Sequence, residues 1–340
     1  MNTLRLKLNL SLLAVSLFAA APVLAQVQPD KSVPKRPPVA RPEVPEPPET
    51  PGRDSAEKTI AVDKNVSVSL CVTQGTLKIN GWNRGEVRVF VKDGAKFGFQ
   101  VLEKSMHGDQ PGWIKILQAQ PAMPRRTNQS ECIWGDVIEI DVPANTTLNL
   151  TGRETTTTVD GLRKAEVKTI GGDISLRNIA EGITASTYQG DITVDESQGQ
   201  IMLDTTSGNI LVFDVGPSQI GDVFKAKTNG GTISLDTIKH RQIDVNSITG
   251  SVFYSGEIRA GGTYGLTTIR GSIKMSIPET SSCQVIASYG AGSFVSDLPI
   301  KLETENITPG PIKQRIGLIG KGGAWLRLTS NNGSIVIKKQ

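Results

Sequence analysis

A glycine that recurs at a nearly constant spacing is the feature that most constrains how this chain can fold. A small polar residue follows it, and a β-branched or aromatic residue comes next. The steps between copies are 18 to 23 residues, apart from a last step of 41. The eight copies begin at Gly172, Gly190, Gly208, Gly231, Gly250, Gly271, Gly292 and Gly333. Such a period is typical of stacked repeat architectures.

The residues around each glycine alternate with a period of two. Thr or Ser stands three residues before the glycine in seven of the eight copies, and apolar residues stand five and seven before it. This alternation predicts two short strands per repeat, joined at a corner where glycine can adopt a positive φ. One repeat cannot bury its apolar face alone, so we predict that the copies stack about 4.8 Å apart in an all-β β-solenoid or β-roll.

The same register extends upstream of the first copy. Residues 68–79 fit it, and residues 148–155 form a degenerate copy whose corner falls near Thr155. In between the register is lost, and three other alternating stretches predict the strands of an N-terminal β cap. These stretches are 87–91, 97–102 and 113–117.

Two features near the C-terminus also bear on the fold. The register breaks over residues 298–316, which contain three prolines, and we expect a loop excursion there. The last strand ends in Lys338 and Lys339. Lysines on an edge strand resist the addition of a further strand, so we expect this strand to end the sheet and the protein to be a monomer.

The N-terminal segment has the composition of an export signal followed by a spacer. Residues 1–25 combine a basic start, a short apolar run and small residues at the cleavage positions, as in a secretory signal peptide. An uncleaved anchor is the alternative. Residues 26–58 form a proline-rich linker that cannot bury enough apolar surface to fold, either a stiff spacer or a tail left by processing. We therefore expect one domain over 59–340, with cap strands over 59–145 and repeats over 146–340, and no membrane span after signal cleavage.

Several segments resemble the bacterial DUF4097 family. The opening GTLKINGWNRGEVRV at residues 75–89, the Val142–Pro143 pair before the serial Thr-x-x-Gly-Asp-Ile units, and the C-terminal IGLIGKGGAWLRL at 316–328 are similar to that family. The resemblance covers roughly residues 60–340. It implies an exported β-helical domain of the adhesin type, a label of shape and location that brings no catalytic motif with it.

Two aspartates are the first candidates for a site. Asp173 and Asp191 follow the corner glycine on successive repeats, so their carboxylates could bind Ca²⁺ or act as an acid–base pair. The position continues as Asn, Thr and Ser, and Asp after Gly is common in turns for local hydrogen-bonding reasons. We favour turn chemistry and assign no metal or cofactor.

The cysteines and histidines offer little catalytic chemistry. A disulfide between Cys71 and Cys132 is plausible in an exported chain, and Cys283 is expected to be an isolated thiol. His107 lies in a Gly- and Pro-containing turn that could hold a ligand or simply be exposed, and His240 is far from it in sequence. No nucleophile elbow, phosphate loop or zinc-protease motif is present. We therefore assign no catalytic residue.

Outward positions become more apolar toward the C-terminus. These are Met202, Leu211, Phe253, Ile286, Val295 and Val336. They could form a contact face, but we favour their being covered by the cap or by the 298–316 excursion.

We expect an exported, non-enzymatic envelope protein that binds a protein or a polysaccharide through its outer β faces, as an adhesin-like or scaffold module. A carbohydrate-active enzyme and an envelope-stress or sensing accessory are the alternatives. The formal net charge is only +4, and the sequence contains no concentrated cluster of basic residues, so we do not expect a nucleic-acid partner.

Overall fold

The computed structural model describes residues 55–106, 108–119, 131–306 and 312–340, which form 25 β-strands. These residues belong to one compact unit, Thr50–Gln340. No helix long and apolar enough to cross a membrane occurs in these ranges. The predicted signal peptide and the linker as far as residue 54 lie outside the described residues, and the first strand begins at Ala56.

The strands have the following bounds. The first seven are β1 (Ala56–Ala61), β2 (Ser67–Trp82), β3 (Glu86–Lys92), β4 (Phe97–Lys104), β5 (Pro111–Gln118), β6 (Val137–Pro143) and β7 (Thr147–Asp160). The repeats then contribute β8 (Lys164–Gly171), β9 (Ile174–Arg177), β10 (Gly182–Gln189), β11 (Ile192–Asp195), β12 (Gln200–Ser207), β13 (Ile210–Val215), β14 (Val223–Gly230), β15 (Ile233–Ile238), β16 (Gln242–Thr249), β17 (Val252–Ser255), β18 (Thr263–Arg270) and β19 (Ile273–Ile277). The last six are β20 (Cys283–Ala291), β21 (Phe294–Ser296), β22 (Lys301–Asn306), β23 (Lys313–Ile319), β24 (Trp325–Asn332) and β25 (Ile335–Lys339).

The repeats stack into two long parallel faces that meet at the glycine corner, which confirms the predicted solenoid. The long strands of the repeats form one face, here called face A, in the spatial order β7-β8-β10-β12-β14-β16-β18-β24-β20. The short strands form the second, face B, in the order β7-β9-β11-β13-β15-β17-β19-β25-β21. Along each strand, every second side chain points into the space between the two faces. Equivalent apolar residues of successive repeats stack on one another in this core.

The first repeats are built on two long strands. β2 and β7 run through the corner without a break, so each contributes to both faces, and they pair in parallel with Gly75 opposite Thr155. Thr155 therefore occupies the corner column, as predicted.

The three predicted cap stretches are confirmed as strands. β4 pairs antiparallel with β5, which continues face A beside β2. β1, β3 and β6 form an antiparallel series that continues face B. The cap thus extends the two faces and buries Phe97, Ile114 and Val89 at their N-terminal end.

The corner is glycine because neighbouring backbones approach too closely for a side chain. Gly250 has a φ of +152°, and a Cβ placed on it would lie 1.9 Å from the carbonyl oxygen of Gly231 in the preceding repeat. In five repeats the hydroxyl three residues before the glycine donates to a corner carbonyl, which explains the Thr/Ser position there; Thr169 and Thr187 make no such bond. Thr268 Oγ1 donates a hydrogen bond of 2.8 Å to the Gly250 carbonyl, and Ser330 Oγ one of 2.8 Å to Gly271. These buried bonds satisfy carbonyl oxygens that the strand ladder leaves unpaired.

In four repeats the second corner, near the end of the short strand, contains a left-handed residue other than glycine. The φ angles there are 54° at Asn178, 47° at Glu196, 43° at Asp214 and 57° at Thr237. Asn and Asp tolerate this region, whereas it is strained for a β-branched residue such as Thr237.

The prediction that the last strand ends the sheet is wrong. β24 lies between β18 and β20, and β25 lies between β19 and β21, so the C-terminal repeat is inserted into the stack. Lys338 and Lys339 pair with Ser276 and Ile277 of β19 and do not guard an edge. Insertion gives β24 a parallel partner on both sides and buries Leu326 and Leu328 completely, or nearly so.

The prediction of a loop over residues 298–316 is also wrong. β22 and β23 form an antiparallel pair there, and β23 pairs antiparallel with β20 at the end of face A. Pro299 precedes β22 and does not interrupt it, while the other two prolines lie in 307–311, outside the described residues. Because this pair lacks the glycine corner, the repeat pattern could not identify it.

We expect Gly250→Ala to destabilise the domain by several kcal/mol, because its methyl group would overlap a backbone oxygen that cannot move without shifting a whole repeat. Urea unfolding followed by circular dichroism measures the change. Gly98→Ala is the matched control, since a Cβ at Gly98 meets no atom within 4 Å. Equal stability of the two variants would contradict this account of the corner.

Candidate functional site

A broad concavity lies on the outer side of face A, across β14, β16, β18, β24 and β20. We call it the Gly265 groove, and its volume is about 770 Å³. Outward side chains from these adjacent strands line it. They are Val223, Lys225, Gln242, Asp244, Thr263, Thr267, Ile286, Trp325 and Arg327.

The floor of the groove is Gly265, which occupies an outward position in the middle of β18. Across the sheet it is paired with Asp244 of β16 on one side and Arg327 of β24 on the other. Since adjacent strands lie about 4.8 Å apart, these two residues are separated by roughly 10 Å with no side chain between them. The missing side chain opens the groove.

Three charged side chains line the groove, and none has an ion-pair partner among the described residues. Lys225, Asp244 and Arg327 are exposed and form no hydrogen bond or salt bridge through their side chains in these parts of the chain. Arg241 nearby behaves differently, because its Nε lies 2.5 Å from Asp222 Oδ2. The groove therefore presents two cations and one anion to solvent.

Trp325 is the aromatic wall of the groove. Its side chain is 53 % exposed, and it stands two residues before Arg327 on the same face of β24. Ile286 lies opposite Arg327 on β20. An exposed indole beside polar side chains can stack on a ring while its neighbours hydrogen-bond to the ring substituents.

The structure places Asp173 and Asp191 one above the other at the corner, where both carboxylates accept backbone hydrogen bonds. Asp173 Oδ1 accepts from Asp191 N at 2.8 Å, and Asp191 Oδ1 accepts from Asn209 N at 2.7 Å. Asn209 Oδ1 continues the series by accepting from Thr232 N at 2.9 Å. These bonds connect each turn to the next, which agrees with the predicted structural role of the two aspartates in the turns. No group of three or more metal-ligating side chains occurs among the residues described.

His107 lies outside the described residues, whereas His240 is buried in the core. His240 Nε2 lies 2.7 Å from the Gly199 carbonyl, its ring is 5.9 Å from that of Phe224, and no partner contacts Nδ1. Burial lowers the pKa of His240 below its ordinary value, against the opposing effects of the Gly199 bond and the Asp222 charge; Arg259 lowers it further. The imidazole is thus neutral in the folded protein and inaccessible to a substrate.

We expect folding stability to fall as the pH drops below about 6.5, because the unfolded chain then binds a proton that buried His240 does not. The slope from this one group is at most about 1.4 kcal/mol per pH unit. His240→Gln, which keeps a donor for Gly199, should flatten the dependence of the unfolding free energy between pH 8 and 5.5. His107→Gln is the control, and an unchanged slope in His240→Gln would refute the assignment.

The cysteines are arranged as the sequence suggested. Cys71 and Cys132 form a disulfide with Cα atoms 4.4 Å apart, closing a loop of 61 residues between the first solenoid strand and the segment before β6. Cys283 is free and fully buried, and burial raises the pKa of its thiol to about 11. A thiol so protonated is a poor nucleophile.

Removing the disulfide with the double substitution Cys71→Ser and Cys132→Ser should lower the free energy of unfolding by about 4 kcal/mol, from the loop entropy of the unfolded chain. Guanidinium unfolding measures the loss. Reductant should weaken the wild-type protein and leave the double variant unchanged; an equal response of both to reductant would show that the bridge does not contribute.

The expectation that the outward apolar residues are covered is wrong for three of them. Met202, Phe253 and Val295 are 37 %, 40 % and 48 % exposed. β22 and β23 extend the edge of face A and do not lie over either face. The six residues also divide between the faces, since Met202 and Ile286 lie on face A and the others on face B.

The fold and the corner chemistry define a class of protein, a two-faced parallel β-solenoid closed by stacked glycines. The family model described as Toastrack DUF4097 matches residues 135–338. The chain therefore belongs to the DUF4097 (Toastrack) family. The match begins after the cap strands β1–β5 and the disulfide, and it includes the whole Gly265 groove.

A search of curated proteins finds no match to this chain. Three solved structures are similar over most of its length. One is a "putative cell adhesion protein" from Clostridium sporogenes (11 % identity, 84 % of this chain and 100 % of that one, TM-score 0.22). Two are from Parabacteroides distasonis, a "putative lipid binding protein" (12 %, 85 % and 98 %, TM-score 0.30) and a "putative adhesin" (12 %, 84 % and 97 %, TM-score 0.28). The family assignment rests on the family model and not on these structures.

Except for Ile286, which the sequence analysis named as an outward apolar residue, the groove residues were missed by the sequence analysis. Trp325 and Arg327 belong to a segment singled out only for its family resemblance, and Gly265 is not a corner glycine. A glycine at an outward position inside an otherwise regular strand was the available signal.

Proposed function

We propose that this protein is an exported, non-enzymatic binding module of the bacterial envelope, acting through the outer surface of its solenoid as an adhesin-like or scaffold component. The observation that carries the proposal is the Gly265 groove, an open surface whose charged groups have no partners in the described chain. A surface that keeps unpaired polar groups facing solvent is suited to binding an external ligand.

The disulfide supports export. Disulfides between half-buried cysteines persist in oxidising compartments and are rare in the bacterial cytosol. The Cys71–Cys132 bridge agrees in this respect with the signal-like residues 1–25.

The composition of the groove supports binding over catalysis. Hydrolysis of a glycosidic bond generally requires two carboxyl groups about 5–10 Å apart, and the groove contains one, Asp244. His240 and Cys283, which have catalytic potential elsewhere in the described chain, are both buried. The carbohydrate-active enzyme stays the second candidate, because Asp244 shares the groove with Lys225 and Arg327, two cations that could stabilise a developing negative charge.

We expect the full-length protein, tagged at its C-terminus, to fractionate with the envelope or the medium, and Cys71 and Cys132 to resist alkylation until a reductant is added. Protease treatment of intact cells, with a periplasmic protein as control, then separates the two forms of the proposal. Cleavage of the solenoid while the control survives supports an adhesin, and protection until the outer layer is broken supports a scaffold or sensing role. A cytosolic protein with three reduced cysteines would refute export.

A further inference from the structure

Gly265 has no structural reason to be glycine. Its φ is not in the left-handed region, and an added Cβ would meet its nearest atoms, Ile243 O and Asp244 Oδ1, at ordinary distances of 3.7 and 3.8 Å. Corner glycines such as Gly250 could not accept one, since the nearest oxygen would be 1.9 Å away. Glycine inside a strand is destabilising relative to residues with a side chain, and it often marks a close approach of a ligand. The open floor is therefore best explained by what lies over it.

The groove offers side chains but no backbone to a ligand. β16, β18 and β24 each have a parallel partner on both sides, so their N–H and C=O groups are used in the ladder. A peptide could not add to these strands by backbone pairing, which is the usual way in which sheets capture extended peptides. Val223, Ile286 and Trp325 are the apolar groups among the outward side chains, which is little for a protein interface.

The available groups match a sugar chain. Gln242, Thr263 and Thr267 supply neutral donors and acceptors for hydroxyl groups, and Asp244 accepts from them. The exposed indole of Trp325 supplies an apolar surface on which the face of a pyranose ring can stack.

The charges select an acidic chain. Lys225 and Arg327 flank Asp244 and Gly265, so their Cα atoms are roughly 14 Å apart along the groove, three strand spacings. Neither cation has a partner in the described chain, and Arg327 can bind a carboxylate through two parallel hydrogen bonds. Two cations against one anion leave a net positive groove.

We propose that the Gly265 groove binds a carboxylate-bearing polysaccharide, with one sugar ring on Trp325, its carboxylate on Arg327 and the chain lying across Gly265. The inference rests on the proposed binding function and names its ligand class and site. It follows that a side chain at position 265 would block the ligand, so introducing one should weaken binding strongly without weakening the fold.

The test measures binding of purified protein to polygalacturonate, a uronic acid polymer, and to dextran, a neutral one, by retardation in gels that contain each polymer. We expect retardation by polygalacturonate and not by dextran. Gly265→Gln and Trp325→Ala should each weaken binding at least tenfold, and Arg327→Gln should remove the preference for the acidic polymer. Thermal unfolding should show that Gly265→Gln is at least as stable as the wild type.

The controls remove similar groups elsewhere. Tyr188→Ala deletes an aromatic side chain that is 58 % exposed on face A but lies outside the groove, and Arg153→Gln removes one positive charge on β7. Both should bind within twofold of the wild type. Retention of binding by Gly265→Gln, equal binding of the two polymers, or binding of peptides in their place would each overturn the inference. These outcomes concern the groove alone, so they are distinct from a failure of export in the fractionation experiment.

Discussion

The whole solenoid depends on the close backbone contact at the glycine corner. There the chain turns from one face to the other within a single residue, and the turns of adjacent repeats approach so closely that only a hydrogen atom fits between them. At five of these corners the inward Thr or Ser hydroxyl donates a hydrogen bond to the corner carbonyl of the adjacent repeat. The corner glycine and the inward hydroxyl therefore act together to hold adjacent repeats in register. The apolar columns on either side of the corner follow from that register.

The repeat was predictable because each of its determinants is local. The strand positions, the inward hydroxyls, the turn role of Asp173 and the cap strands all follow from alternation and spacing within some 20 residues. The disulfide could only be suggested, since spacing alone does not choose partners among three cysteines. Where the prediction relied on repeats stacking in chain order, it was wrong, because local pattern carries no information on the order of strands in space.

The same limit explains why the groove could not be found from the sequence. Gly265 is 60 residues from Trp325 in the chain, yet the two lie on adjacent strands. Exposure also had to be known, because an outward Trp or Arg could equally have been covered by β22 and β23. The sequence supplied one usable hint, an interruption of side-chain alternation at Gly265 that no turn explains.

The inserted C-terminal repeat links the topology to the proposed binding site. If the repeats were stacked in chain order, β20 would lie beside β18, and Ile286 would be the neighbour of Gly265. Insertion of β24 places Arg327 at that position and Trp325 two residues before it on the same face, and moves Ile286 one strand further out. Exchanging β20 for β24 next to β18 does not disturb the packing of the core, since Leu326 and Val285 both fit the same apolar column. The outer surface of face A does change, because β24 supplies both the aromatic wall and one of the two cations of the groove. In a fold whose inward positions are fixed by stacking, the order of the strands is thus one means by which the outer surface can be changed without cost to the core.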